Sequence, residues 1–197
     1  SVFNMDLESL KSSIDSDVAA LMLTNPSTLG LFEKNISEIA KLLHDNGSLL
    51  YYDGANLNAL MGIVRPGDMG FDVIHINPHK TLSTPHGGGG PGAGPVGVKS
   101  FLKAYLPVPF IEKENKAAQS DSGCFPNYDL PHSIGKMKMN FGHMDVMLKA
   151  YCYILTNGPD GLRESSENAV LNANYVQAQL KDILPPVFDK YCMHECL

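Results

Sequence analysis

Long apolar runs are missing from this chain of 197 residues. No stretch approaches the ~18 apolar residues that a membrane-spanning helix requires, so no membrane association is expected. A basic excess is missing too: 15 Lys and Arg stand against 21 Asp and Glu, for a net charge of −6. With no basic patch carrying interleaved aromatics, that balance argues against nucleic-acid binding. Cysteine is scarce. Cys124, Cys152, Cys192 and Cys196 are scattered, which suits reduced thiols and a cytoplasmic location rather than a disulfide scaffold. Ser1–Leu10 carries acids where a secretory leader would have a basic start and an apolar core. Neither a GK[ST] phosphate loop nor a GxGxxG opening a helix is found, so nucleotide-binding folds are disfavoured. There is no internal repeat. The chain opens without methionine and closes on a run that reads as an incoming strand, so both ends are expected to be cut.

What is present is an alternation of strands and helices. An apolar share of 44% is enough for a substantial core. Asp17–Leu23 (DVAALML) is a near-continuous apolar run stopped by Thr24-Asn25-Pro26, the pattern of a fully buried parallel strand. Ile36, Ile39, Ala40, Leu42 and Leu43 are spaced for a helix, with Ser37 helping to cap its start and Asn46-Gly47 ending it. Ser48–Tyr52 (SLLYY) and Val73–Ile76 (VIHI) are further strands, and Gly94–Val98 a short fourth. This is the signature of an α/β fold with a doubly wound, mostly parallel sheet. In such sheets ligands bind beyond the carboxyl ends of the strands, where Asn25, Asp53 and Lys80 all fall. Glu112–Pro131 is polar and turn-rich and reads as an excursion or hairpin. His143–Leu155 and Leu162–Leu180 are two long helices separated by Gly158-Pro159. The expected division places residues 1–130 in a large ligand-binding domain and 131–197 in a helical connection that begins a C-terminal domain.

The chemistry gathers around Lys80, between a short apolar strand and the loop His86-Gly87-Gly88-Gly89-Gly90. Lysine at the mouth of a sheet suits covalent catalysis, in which a desolvated amine forms a Schiff base with an aldehyde cofactor. Asp53, ending the preceding strand before Gly54-Ala55, has two readings. One is an Asx-turn. The other is the anion that keeps the ring nitrogen of a pyridoxal cofactor protonated, making the ring an electron sink. His79 could contact the cofactor or shape the turn. His75, on the strand, reads as a satisfied core or interface histidine. The glycine loop, stiffened by Pro85, Pro91 and Pro95, could cradle an anion or pack at an interface. Neither His75/His79/His86 nor Cys192/His194/Cys196 has the ligand pattern of a zinc site, so no metal is expected. His194 and Glu195 would face opposite ways on a strand and are not read as a pair. Tyr51, Tyr52, Met61, Met69, Met137, Met139, Met144 and Met147 read as core or interface filler.

The runs DVIHINPHKTLSTPHGGGGPGAGPVGVK, YYDGANLNALMGIVRPGDMGFD, YILTNGPDGLRESSENAVLNANY and CMHEC resemble the glycine cleavage system P-protein family, and the STPHGGGG wording resembles subunit 2 of its split form. The resemblance implies a partial fold-type-I pyridoxal 5'-phosphate enzyme. It implies Lys80 as the Schiff-base lysine and Asp53 as the pyridine-nitrogen carboxylate. His79 and Ala55 would line the cofactor, and Asn25 would approach the same pocket. The implied reaction is decarboxylation of glycine, with transfer of the aminomethyl group to the lipoyl arm of H-protein. Subunit 1 of the P-protein and assembly as a hetero- or homo-oligomer are the further implied partners. The resemblance also implies family sequence before Ser1 and beyond Leu197. The alternatives are another pyridoxal-phosphate lyase or transferase of the same fold, and a non-catalytic scaffold.

Overall fold

The computed structural model describes residues 4–89, 92–113, 123–137, 141–188 and 190–197. Gly90 and Pro91 of the glycine loop, residues 114–122 of the expected excursion, and Met139 lie outside the described residues. The chain forms two compact units, Ser1–Gly97 with His143–Leu197, and Val98–Gly142.

The larger unit is built on a sheet in the order β1-β2-β3-β4: Ala20–Leu23, Leu49–Gly54, Val73–Ile76 and Val96–Val98. β1, β2 and β3 are parallel, with Leu23 opposite Tyr52, Tyr51 opposite Val73 and Asp53 opposite His75. Successive side chains of a strand point to opposite faces, and β2 shows it: Leu50 and Tyr52 are buried, while Leu49, Tyr51 and Asp53 are half-buried. Helix α1, Leu7–Ser13, precedes β1, and the buried face of the sheet packs on helix α2, Ile36–Asp45, through Ile36, Ile39, Ala40 and Leu43, with Leu60 and Phe71 completing the core. The Tyr52 and Phe71 rings lie 4.7 Å apart. The Tyr52 hydroxyl donates to the carbonyl of Asn25 at 2.6 Å. Burial, and then the charge of Asp53, push that phenol above its ordinary value.

Two local expectations are corrected. β1 is not fully buried: it is the sheet's edge strand, and Met22 is 61% exposed on the face away from α2. Ser37 lies inside α2 instead of capping it; Asn35 occupies the cap, without a side-chain bond. The expected stop does hold, since Asn46 ends the helix and Gly47 turns at φ 81°. The link from α2 to the sheet is polar. Asp72 is 3% exposed, and its Oδ2 accepts from the Leu50 N–H at 2.9 Å and lies 2.8 Å from His44 Nε2, in the last turn of α2.

The expected pair of long helices is seen as α4, Met144–Leu180, broken at Gly158 (φ 62°, ψ −175°) ahead of Pro159. Helical spacing puts Val146, Met147, Ala150, Tyr151 and Ile154 on one face of its first half, yet only Val146 and Ala150 are buried while Met147, Tyr151 and Ile154 are exposed; of the methionines read as filler, Met69 is core and Met137 and Met144 are exposed. The tail returns across the second half. The Asn174 side chain brackets Cys192, donating to its carbonyl at 2.7 Å and accepting its N–H at 3.0 Å, and the Met193 N–H donates to the Gly30 carbonyl at 2.7 Å. The described residues of this tail form bends and not the expected strand. The adjacent side chains His194 and Glu195 consequently meet, Nε2 to Oε1, at 3.1 Å, which a strand would forbid.

The smaller unit carries two antiparallel strands, β5 (Phe110–Lys113) and β6 (Cys124–Asn127), where the polar excursion was expected. A 3₁₀ turn, Ser100–Tyr105, precedes them. No helix among the described residues is long and apolar enough to cross a membrane.

Candidate active site at the strand ends

Parallel pairing of β2 with β3 brings the carboxyl ends of two strands side by side, roughly 4.8 Å apart. β2 ends in Asp53-Gly54. β3 ends at Ile76 and passes through Asn77 into α3, the four-residue turn Pro78–Thr81, which holds His79 and Lys80. Pro78 at the first helical position starts that turn without losing a needed N–H. Thr81 Oγ1 accepts from the Leu57 N–H at 3.0 Å, so the lysine-bearing turn is tied to the loop that follows β2.

Asp53 lies on the sheet face opposite the α2 core. Its Oδ1 accepts from the Ala55 N–H at 3.1 Å, the Asx-turn geometry, and sits 3.3 Å from His75 Nε2. The far side of that imidazole, Nδ1, is 3.0 Å from the Tyr51 hydroxyl. The carboxylate therefore closes a turn and also faces a polar group across the strands. His75 and Tyr51, read from sequence as core or filler, join it here. The signal was available in part: Tyr51 and Asp53 share a face by alternation. The pairing of Asp53 with His75 depended on the register between strands.

His79 is half-buried, its Nδ1 buried without a hydrogen-bond partner among the described residues. Its ring meets the exposed His86 edge-on at 4.6 Å. Loss of solvent, then the neighbouring His86 and Lys80, hold it below the ordinary imidazole value. Lys80 is exposed. The desolvation expected for its amine is not supplied by the described residues, because the short α3 turn carries it off the end of the sheet. Ala55 is half-buried beside Asp53.

Asn25 is placed differently from the others. It is fully buried, its Oδ1 accepting from the Glu33 N–H at 2.9 Å and its amide donating to the Glu33 carbonyl at 3.3 Å. Both ends of the side chain are taken up by the backbone of Glu33. In the glycine loop Gly87 and Gly88 take φ 73° and 58°, as glycine alone does readily. Among the described residues no three His, Cys, Asp or Glu side chains gather as a metal site.

Along 97% of its length the chain is 61% identical to the probable glycine dehydrogenase (decarboxylating) subunit 2 of Caldanaerobacter subterraneus subsp. tengcongensis. In sequence, the chain is a relative of glycine dehydrogenase (decarboxylating) subunit 2. Proteins of that name from Chloroherpeton thalassium and Treponema denticola are 58% and 56% identical over 98% of the chain. The chain spans 38–39% of the length of these subunit 2 relatives. Among solved structures, it superposes on a glycine decarboxylase (P-protein) of the glycine cleavage system in inhibitor-bound form, with a TM-score of 0.72 over 91% of this chain and 42% of that one, at 22% identity. A sphingosine-1-phosphate lyase from Burkholderia pseudomallei K96243 matches at 0.60 over 92% of this chain and 39% of that one, at 14% identity. These two likenesses establish the α/β fold-type-I architecture. No protein-family profile matches the chain.

Proposed function

We propose that this chain contributes the lysine-bearing strand ends of a pyridoxal 5'-phosphate-dependent glycine dehydrogenase (decarboxylating) of the glycine cleavage system, with glycine as substrate and the lipoyl group of H-protein as acceptor. One observation carries the reading. On two adjacent parallel strands, an oriented carboxylate, Asp53, and an amine-bearing turn, His79-Lys80, stand at the same sheet edge. Identity of 56–61% to the subunit 2 relatives supports it.

The residues present fit the cofactor. Oδ1 of Asp53 is occupied by Ala55 and His75, and no described residue pairs with Oδ2, the oxygen suited to a protonated ring nitrogen. The orphaned Nδ1 of His79 offers a polar contact beside Lys80. When bound, pyridoxal phosphate supplies the electron sink for the pair left by decarboxylation. The Lys80 Nζ is the amine that would hold the cofactor's aldehyde and, once displaced by substrate, would carry a proton. Asp53 would hold a proton on the ring nitrogen, and Ala55 would fix Asp53 through its N–H. Asn25 supports the floor of the site through the Asn25–Tyr52 and Asn25–Glu33 bonds. Because Lys80 is exposed, dehydration of its amine falls to groups beyond the described residues. Subunit 1 in a hetero-oligomer, or a second copy in a homo-oligomer, would supply such a cover. The same reading places residues 1–130 in the large cofactor domain, 131–197 in a helical connection, and the protein in the cytoplasm.

Borohydride reduction with added pyridoxal phosphate is expected to label Lys80, and Lys80→Ala to abolish the label. Absence of label at saturating cofactor would instead make the chain a scaffold. Glycine–bicarbonate exchange with lipoylated carrier is the second measurement. A labelled Lys80 without exchange, measured with the whole subunit and its partner subunit present, would assign the site to a different lyase or transferase of the same fold.

A further inference from the structure

Parallel register places Asp53 opposite His75, and alternation along β2 puts Tyr51 on the same face two residues earlier. The three polar groups then run in line: Tyr51 hydroxyl to His75 Nδ1 at 3.0 Å, and His75 Nε2 to Asp53 Oδ1 at 3.3 Å. His75 and Asp53 are 24% and 34% exposed, so neither is fully hydrated. Each nitrogen of a neutral imidazole either donates or accepts. A lone pair on Nε2 would point at the lone pairs of the carboxylate, which is repulsive; a proton there meets an acceptor. Nδ1 is then left to accept, and the Tyr51 hydroxyl is able to donate to it.

We propose that Tyr51 and His75 are positioning residues that fix the imidazole with its proton on Nε2 and thereby select which oxygen of Asp53 faces the ligand. The inference rests on the pyridoxal-phosphate reading of the site. Oδ1 receives two donors, the Ala55 N–H and His75 Nε2. The carboxylate is thus held at one oxygen, and Oδ2 is the one presented. This is the arrangement in which a histidine pinned on one nitrogen orients a functional carboxylate with the other, as the partners of metal ligands do. Nothing in the local sequence requires it: a histidine on a strand packs equally well as core, and only the pairing of β2 with β3 aligns it.

The first test needs no cofactor. Nitrogen-15 NMR of histidine-labelled protein is expected to show His75 with a pyrrole-type Nε2 and a pyridine-type Nδ1, assigned by the signals lost in His75→Gln. Tyr51→Phe is expected to turn that single tautomer into a mixture. A proton on Nδ1 alone in the unmodified protein would overturn the proposal. The second test is the equilibrium affinity for pyridoxal phosphate. His75→Ala is expected to weaken binding on the order of tenfold. His75→Gln, whose amide retains an N–H donor, is expected to restore most of the loss, which a merely structural role would not predict. Asp53→Ala combined with His75→Ala is expected to be no weaker than Asp53→Ala alone, since the two act as a unit. Unchanged binding in His75→Ala, or losses that simply add, would overturn the proposal. Unchanged binding in Asp53→Ala would overturn the cofactor assignment itself, and the tautomer measured without cofactor separates that failure from a failure of the pair.

Discussion

Asp72 shows how much one buried carboxylate can hold. Its Oδ2 serves the Leu50 N–H and His44, joining the start of β2 to the end of α2. Asp72→Ala leaves that buried N–H without an acceptor, a loss of about 2–3 kcal/mol in stability; Asp72→Asn retains an acceptor and is expected to lose about half as much. Urea denaturation midpoints check both. Two histidines set a pH dependence. His194 has a buried side chain, and loss of solvent holds it below the ordinary value of 6.5 although Glu195 pulls the other way. His79 is lowered for the same first reason. A group lowered on folding binds more protons when unfolded, so stability rises with pH across the window. Well above pH 6.5 both states hold these rings neutral and no effect remains. As pH falls below 6.5 the unfolded chain gains protons first and stability drops, until the folded rings protonate as well. His194→Gln is expected to flatten part of that decline in thermal melts between pH 7 and pH 5. On a strand His194 and Glu195 would face opposite ways; the bend that brings them together has no local signature in the sequence.

Among the elements, two glycines separate backbone strain from steric conflict. Gly158 breaks α4 at φ 62°, ψ −175°, a region close to glycine-only, and among the described residues no atom outside its own neighbourhood in the helix lies within 4 Å of where a Cβ would sit. Gly158→Ala is therefore expected to cost about 1–3 kcal/mol from conformation alone. Gly30 turns at φ 71°, and a Cβ there would overlap the Glu195 carbonyl oxygen of the returning tail. Gly30→Ala is expected to cost more than Gly158→Ala and to expose the Met193 amide, which donates to Gly30, to hydrogen exchange. Helix stop signals were legible in the sequence because Gly158-Pro159 and Asn46-Gly47 act within one turn. The docking of the tail on Gly30 was not, because the contact joins residues far apart in the chain. The caps divide the same way: Ser37 suits a cap in isolation, yet the cap falls two residues earlier, at Asn35, because Ile36 is needed in the core.

At the scale of the whole molecule, the core of the sheet lies on one face. Ile39, Leu43, Leu50 and Tyr52 are fully buried, while Met22 on the opposite face is 61% exposed. Ile39→Ala is expected to cost about 2–5 kcal/mol, and Met22→Ala to stay within about 0.5 kcal/mol; chemical denaturation of the pair measures the asymmetry. The apolar run around β1 predicted burial on both faces. Composition cannot say which strand lies at an edge, because that depends on what pairs with it.

The amino-acid sequence by itself determined the four strands of the sheet, helices α2 and α4 with their stops, the lysine after β3 and the likeness to the glycine cleavage P-proteins, since propensity, period and motif act over a few residues. Tertiary structure alone decided that Asp53 faces His75, that Asn25 is taken up by Glu33, and that Asp72 ties α2 to the sheet. Each is a contact between segments distant in the chain, set by strand register and by the need to pair buried polar groups.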